Sequence, residues 1–295
     1  MSQEVYYRPP SEAESFIIRV MEGCPHNKCT FCNMFKDITC KAIPVDEIIS
    51  GMEQDVLQLG PQNTGLVRSI YLEGGDPLAL PTNKLIDIMH HAKRLFPNLE
   101  RFACYATVKY TNLKTRDELA ALHKAGLRTV YVGLESGSDA ILSIVKKGCT
   151  TSDILAVGSK LAEAGIDLDV SMMLGIGGKE HSCDHAINTA RLINAVEPVC
   201  VRIRTFIPKI GTELGDAYEA GEFALPGPHD TIRELRMMIS ELSSNTRILS
   251  EHWSNFVLFV AQMPEAKGNL LAYIDKHLAM PESSFRSIGI DEVRS

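Results

Sequence analysis

The chain has 295 residues, 45% apolar and 23% charged, the proportions of a folded globular protein rather than a disordered, collagen-like or coiled-coil chain. Thirty basic residues against 37 acidic ones, net −7, give no electrostatic footprint for a polyanion, so broad binding of nucleic acid or an anionic membrane is disfavoured. No apolar run approaches the roughly 20 residues that span a bilayer. The opening MSQEVYYRPP lacks the charged-then-apolar order of a signal peptide, and the expectation is a cytoplasmic protein.

In chain order, a segment over 1–14 with Tyr6-Tyr7-Arg8-Pro9-Pro10 precedes the first apolar run. Runs rich in β-branched and aromatic residues predict strands over 16–21, 69–73, 102–106, 129–133, 168–174 and 199–206. Helical spacing fills the gaps. Ile48, Ile49, Met52, Val56 and Leu59 share one face over 45–59, and Leu85, Met89, Ala92 and Phe96 share another, capped by Thr82 and stopped at Pro97. Thr115 opens a helix that ends at Gly126, Thr151 opens one that ends at Gly165, and a fifth runs over 181–196. Each connection is long enough for a right-handed crossover, so the strands should be parallel. The fold class expected is α/β, a partial (β/α)6 TIM-like barrel over 15–214. The remainder, 215–295, reads as a helical C-terminal extension, with Ile232, Leu235, Ile239 and Leu242 on one helix face and more helix over 270–278.

Eight cysteines in such a chain do not read as a disulfide framework. Cys40, Cys104, Cys149, Cys183 and Cys200 are scattered, but Cys24, Cys29 and Cys32 fall together in Gly23-Cys24-Pro25-His26-Asn27-Lys28-Cys29-Thr30-Phe31-Cys32, directly after the first strand. In parallel β/α architectures the loops at the carboxyl ends of strands carry the chemistry. Three thiolates in one loop can wrap one face of an inorganic centre. A structural zinc ion would need a fourth donor, for which His26 or Cys40 is at hand. Three thiolates alone suit a 4Fe-4S cluster held by three irons, with the fourth iron open to a ligand.

The loop, with Phe31 just before its last cysteine, resembles the cluster-binding loop of the radical S-adenosylmethionine (radical SAM) superfamily, although its spacing is four residues then two where the family has three then two. Three further segments resemble that family in the same order along the chain. Gly74-Gly75-Asp76 follows the second strand, where the family's Gly-Gly-Glu meets the amino group of SAM. Two glycines permit close backbone approach, and the carboxylate can accept from an ammonium. Gly133-Leu134-Glu135-Ser136-Gly137 ends the fourth strand and is similar to a stretch of methylthiotransferases and coproporphyrinogen dehydrogenases. There the resemblance gives Glu135 the ribose or amino group and Lys147 the carboxylate of SAM, beside the plainer reading of Lys146 and Lys147 as a solvated helix end. Gly175-Ile176-Gly177-Gly178 leaves room for an adenine, and Arg202-Ile203-Arg204-Thr205-Phe206-Ile207-Pro208 carries the sixth-strand pattern; Phe31 and Ile207 would flank the cofactor.

The resemblance implies one 4Fe-4S cluster on Cys24, Cys29 and Cys32, S-adenosyl-L-methionine on the open iron, and reductive cleavage to a 5′-deoxyadenosyl radical that takes hydrogen from a small or medium organic substrate. A one-electron donor such as flavodoxin or ferredoxin would feed it. Substrate-side candidates are Cys104, Tyr105, Arg204 and His252. Cys104 also reads as a small core residue, and His252 with Asn255 as an interface between tail and barrel. Arg8, Arg202 and Arg204 could clamp a carboxylate or phosphate, with Arg202 and Arg204 on one face of their strand. No second cysteine cluster occurs over 215–295 to hold an auxiliary centre. A different class of reading is a non-catalytic haem or iron-sulfur carrier on the same core.

Overall fold

The computed structural model describes residues 6–290. Its elements are β1 (Phe16–Arg19), β2 (Met21–Glu22), β3 (Lys41–Ala42), α1 (Val45–Thr64), β4 (Ser69–Glu73), α2 (Thr82–Leu95), β5 (Arg101–Ala106), α3 (Val108–Leu113), α4 (Arg116–Ala125) and β6 (Leu127–Glu135). There follow α5 (Asp139–Ile144), α6 (Thr151–Ala164), β7 (Asp167–Leu174), α7 (Ser182–Val196), β8 (Cys200–Thr205), α8 (Glu213–Glu219), α9 (Pro228–Glu241), β9 (Arg247–Ser250), β10 (Phe259–Gln262) and α10 (Lys267–Leu278). The chain forms two compact units, each discontinuous in sequence. The first takes in Met1–Asn27, Asp37–Val132 and Lys160–Leu168; the second Lys28–Lys36, Gly133–Ser159 and Asp169–Ser295.

In the first unit the strand order is β1-β4-β5-β6, all parallel, with β1 register Phe16↔Ile70 and β5 register Tyr105↔Tyr131. Ile70, Leu72, Phe102 and Val130 are fully buried, each contributing about 2 kcal/mol of burial. Strands apolar on both faces are the mark of a parallel sheet under crossover helices. Local chemistry sets the helix ends. Thr115 and Glu118 exchange hydrogen bonds in a capping box of 3.1 and 2.9 Å, and Gly126 at φ +117° ends α4. Thr82 does not cap α2; its hydroxyl donates to Glu118 at 2.6 Å, and Pro81 holds the cap position.

In the second unit the order is β7-β8-β9-β10. Strands β7, β8 and β9 run parallel and β10 antiparallel, Phe259 opposite Ser250. α9 packs on α7 and α10. The six expected strands are all present, as β1 and β4 to β8, and the α/β class with a mostly parallel sheet is the one observed. The tail is not helical throughout, because β9 extends the ladder beside β8 and β10 follows it. What defines β9 is its pairing with distant chain, from Cys200↔Arg247 to Arg202↔Leu249 on β8 and with β10 on its other side.

Candidate functional site

In the first unit the glycine pair serves the cysteine loop itself. A Cβ on Gly75 would lie 2.3 Å from the Gly23 carbonyl oxygen and 2.5 Å from the Cys24 Cα, and one on Gly74, at φ +145°, would strike Met21. The Gly75 N–H donates to the Gly23 carbonyl at 3.0 Å, so the end of β4 lies directly on the backbone of Gly23 and Cys24. Next in line, Asp76 is fully buried. Its Oδ2 accepts from the Thr107 amide at 2.9 Å and hydroxyl at 2.5 Å, and the Leu78 amide also acts on the carboxylate. Burial pushes its carboxyl up to about 7 against those bonds. Exposed Cys40 lies against Gly23, and burial followed by the charges of Cys24 and Asp76 raises its thiol.

In the second unit Phe31 is buried with Ile141, Val145, Ile176, Phe206 and Leu214, and Cys29 and Cys32 pack on that cluster. Two backbone bonds hold the segment: Thr30 N–H to the Val145 carbonyl at 3.1 Å and Leu214 N–H to the Thr30 carbonyl at 2.9 Å. Beside it, Glu135 is buried at φ +63°, in the region non-glycine residues avoid. Its Oε1 takes a 2.8 Å bond from the Lys147 ammonium; its Oε2 is buried and has no hydrogen-bond partner among the described residues. Gly133 makes the room, since a Cβ there would lie 2.2 Å from Glu135 Oε1. Burial alone would lower the Lys147 ammonium, but the charges of Glu135 and then Cys29 outweigh it and raise it. Lys147 is therefore an internal partner of Glu135, not a solvated helix end; Lys146 is exposed toward Glu213.

The Gly175-Ile176-Gly177-Gly178 turn is held by a residue that the sequence reading did not single out. Glu234, on the buried face of α9, accepts from the Gly175 amide at 2.7 Å and from the Ser182 hydroxyl at 2.5 Å, and burial lifts its carboxyl to about 7. His185 lies 3.7 Å away, its Nε2 bonded to the Met173 carbonyl at 2.9 Å and its Nδ1 to Ser136 at 2.8 Å, and burial lowers it to about 4. An acid among Thr231, Ile232, Leu235 and Met238 was the available signal.

The substrate-side candidates separate. Cys104 is fully buried with its thiol pushed up by burial, in keeping with a core residue. Tyr105, on the other strand face, packs edge-on to Tyr71 at 6.1 Å and Tyr131 at 5.7 Å. Arg8 donates to the Ser15 carbonyl at 3.1 Å. Arg202 is bound two-pronged to Asp169 at 2.9 Å, a structural pair. Arg204, Ile207 and His252 instead line one cavity of about 110 Å³ with Phe31 and Cys32.

None of the eight cysteines is in a disulfide, and among the described residues no three His, Cys, Asp or Glu side chains form a single-ion site.

Residues 18–192, more than half of the chain, match the Radical SAM superfamily. The chain belongs to that superfamily, whose chemistry rests on a 4Fe-4S cluster and SAM. It is 25% identical over 219 residues to an uncharacterised protein of Methanocaldococcus jannaschii, covering 68% of this chain and 63% of that one. It is 27% identical over 222 residues to the tRNA-2-methylthio-N(6)-dimethylallyladenosine synthase of Nitrosomonas europaea, covering 70% of this chain and 47% of the other. The matches thus span less than two thirds of either relative. Among solved structures, coproporphyrinogen III oxidase of Escherichia coli, a radical SAM enzyme, aligns at TM-score 0.59 and 17% identity over 77% of this chain and 51% of that one. The radical SAM methyltransferase TsrM of Kitasatospora setae, with cobalamin and a 4Fe-4S cluster, aligns at 0.56 and 19% over 72% and 38%. At such identities these two establish the fold alone. Among the described residues no helix is long and apolar enough to cross a membrane.

Proposed function

We propose that this chain holds one 4Fe-4S cluster on Cys24, Cys29 and Cys32 and cleaves S-adenosyl-L-methionine reductively to act on a small or medium organic substrate, as an oxidoreductase or lyase. A one-electron donor of the flavodoxin or ferredoxin kind would supply the reducing equivalent. When bound, the cluster and SAM supply the 5′-deoxyadenosyl radical; the protein supplies position and exclusion of water.

The observation that carries this reading is the half-satisfied carboxylate of Glu135. A buried acceptor costs free energy unless something donates to it. One oxygen is neutralised by Lys147 and the other is left for a hydroxyl or ammonium of a ligand, at the position where the superfamily meets SAM. The Lys147 ammonium also lies within electrostatic reach of Cys29. Phe31 and Ile207, which both line one cavity, would flank the adenine on their side of it.

Anaerobic reconstitution should give the 4Fe-4S absorption and electron resonance signature, and dithionite with SAM should then yield 5′-deoxyadenosine and methionine. Cys29→Ala should lose both. A fully loaded cluster that leaves SAM intact under reduction overturns the reading.

A further inference from the structure

Two arginines lie two residues apart on β8 and meet opposite fates. Arg202 is neutralised by Asp169. Arg204, half-buried in the cavity wall, has neither hydrogen bond nor ion pair with any described residue. A guanidinium cannot shed its proton, so partial burial without an acid is a standing cost that a bound anion would remove.

The rest of the wall agrees. The residues lining the cavity include Arg204, Lys209 and His252 and no carboxylate. His252 is held by Ser254: the Ser254 amide donates to His252 Nδ1 at 3.2 Å, and the Ser254 Oγ, which accepts from the Thr205 amide at 3.0 Å, lies 2.7 Å from the same nitrogen and 3.5 Å from Asn255 Oδ1. Nδ1 is thereby an acceptor, and the neutral ring carries its proton on Nε2, which has no partner among the described residues. Burial, then Arg204, Lys209 and Arg286, lower His252 to about 4, which keeps the ring neutral and a donor. Asn255 pins the loop to β8 through the Ile203 carbonyl at 2.8 Å. The same lining includes apolar and aromatic surface from Phe31, Met173, Phe206 and Trp253.

We infer that the part of this cavity bounded by Arg204, Lys209 and His252 is the substrate's oxyanion site: Arg204, with His252 Nε2–H and Lys209, takes a carboxylate or phosphate on a ligand whose flat apolar body lies against Met173 and Trp253, apart from the Phe31 and Ile207 surfaces that would flank the adenine. Its standing as a substrate site rests on the radical SAM reading; the anion specificity does not.

Trp253 is the chain's single tryptophan and lines the cavity, so its fluorescence reports occupancy directly. Full-length protein, before and after reconstitution, is titrated with benzoate, phenyl phosphate and neutral benzamide. The anions should bind about tenfold or more tightly than benzamide, and Arg204→Gln should erase that margin while Arg204→Lys restores part of it. SAM affinity, measured by equilibrium dialysis on the reconstituted protein, should be unchanged in Arg204→Gln. Either order of benzoate and phenyl phosphate supports the site and names the oxyanion. Equal binding of benzamide, or anion binding indifferent to Arg204→Gln, overturns it. So does a parallel loss of SAM affinity, which would assign the guanidinium to the cofactor. Anion selectivity without SAM cleavage would leave the site standing and sink the radical reading, and the converse pattern would do the reverse.

Discussion

The polar centre of the first unit and the cavity of the second are built from the same residue types and end in opposite states. In the first, Glu12 is wholly buried and fully engaged: Arg101 grips both oxygens at 2.8 and 3.0 Å, Tyr131 donates at 2.5 Å, and Ser15 donates as well. Burial would raise the Glu12 carboxyl, but those donors hold it below its ordinary value. In the second unit, Glu135 Oε2, Arg204 and His252 Nε2 have no hydrogen-bond partner among the described residues. A closed network stabilises one arrangement of the chain, whereas an open one waits for a ligand to complete it.

The contrast can be broken first at Glu12. Glu12→Ala strands a guanidinium and a tyrosine hydroxyl, and urea unfolding should show a loss of about 3 kcal/mol with no change in anion binding at Trp253. A variant as stable as the parent would mean that the first-unit network is not the anchor described above.

The pair Glu234 and His185 sharpens it next, because both are buried and burial pushes each toward its neutral form. Glu234 rises from its ordinary 4.5 to about 7, so it favours unfolding progressively as pH climbs through that window. His185 falls from 6.5 to about 4, so its contribution is complete above 6.5 and is lost as pH falls through 4. Between 4.5 and 6.5 the two slopes oppose each other. Relative to the parent, Glu234→Gln should therefore gain stability with rising pH, and His185→Gln should lose it, each by about 1.4 kcal/mol per pH unit. Melts from pH 4 to 8 that show no such divergence would make the pair ionised rather than neutral.

The smallest expected effects separate the two arginines. Arg202→Gln breaks a partly buried, two-pronged ion pair and should cost about 1 to 2 kcal/mol, while Arg204→Gln should stay within about 0.5 kcal/mol of the parent. Equal costs would mean that Arg204 carries a structural load after all.

Much of this was legible in advance for reasons that are local. Strand and helix periods over 45–206 reflect which face of each element must leave water, and caps such as Thr115 with Glu118 act within one turn. What escaped notice depends on neighbours distant in the chain. Strand β9 exists through β8, Glu234 matters through Gly175, and the Gly74-Gly75 pair is required by Met21 and Cys24 rather than by a ligand alone.

By itself the sequence determined the α/β class, the three grouped thiols and the order of segments shared with the radical SAM superfamily, because spacing along the chain carries all three. Only the tertiary structure decided that Lys147 neutralises Glu135, that Asp169 silences Arg202, and that Arg204 and His252 face one cavity. Whether a charge is satisfied or left open is a property of what surrounds it in space, and alternation on a strand cannot tell two arginines on one face apart.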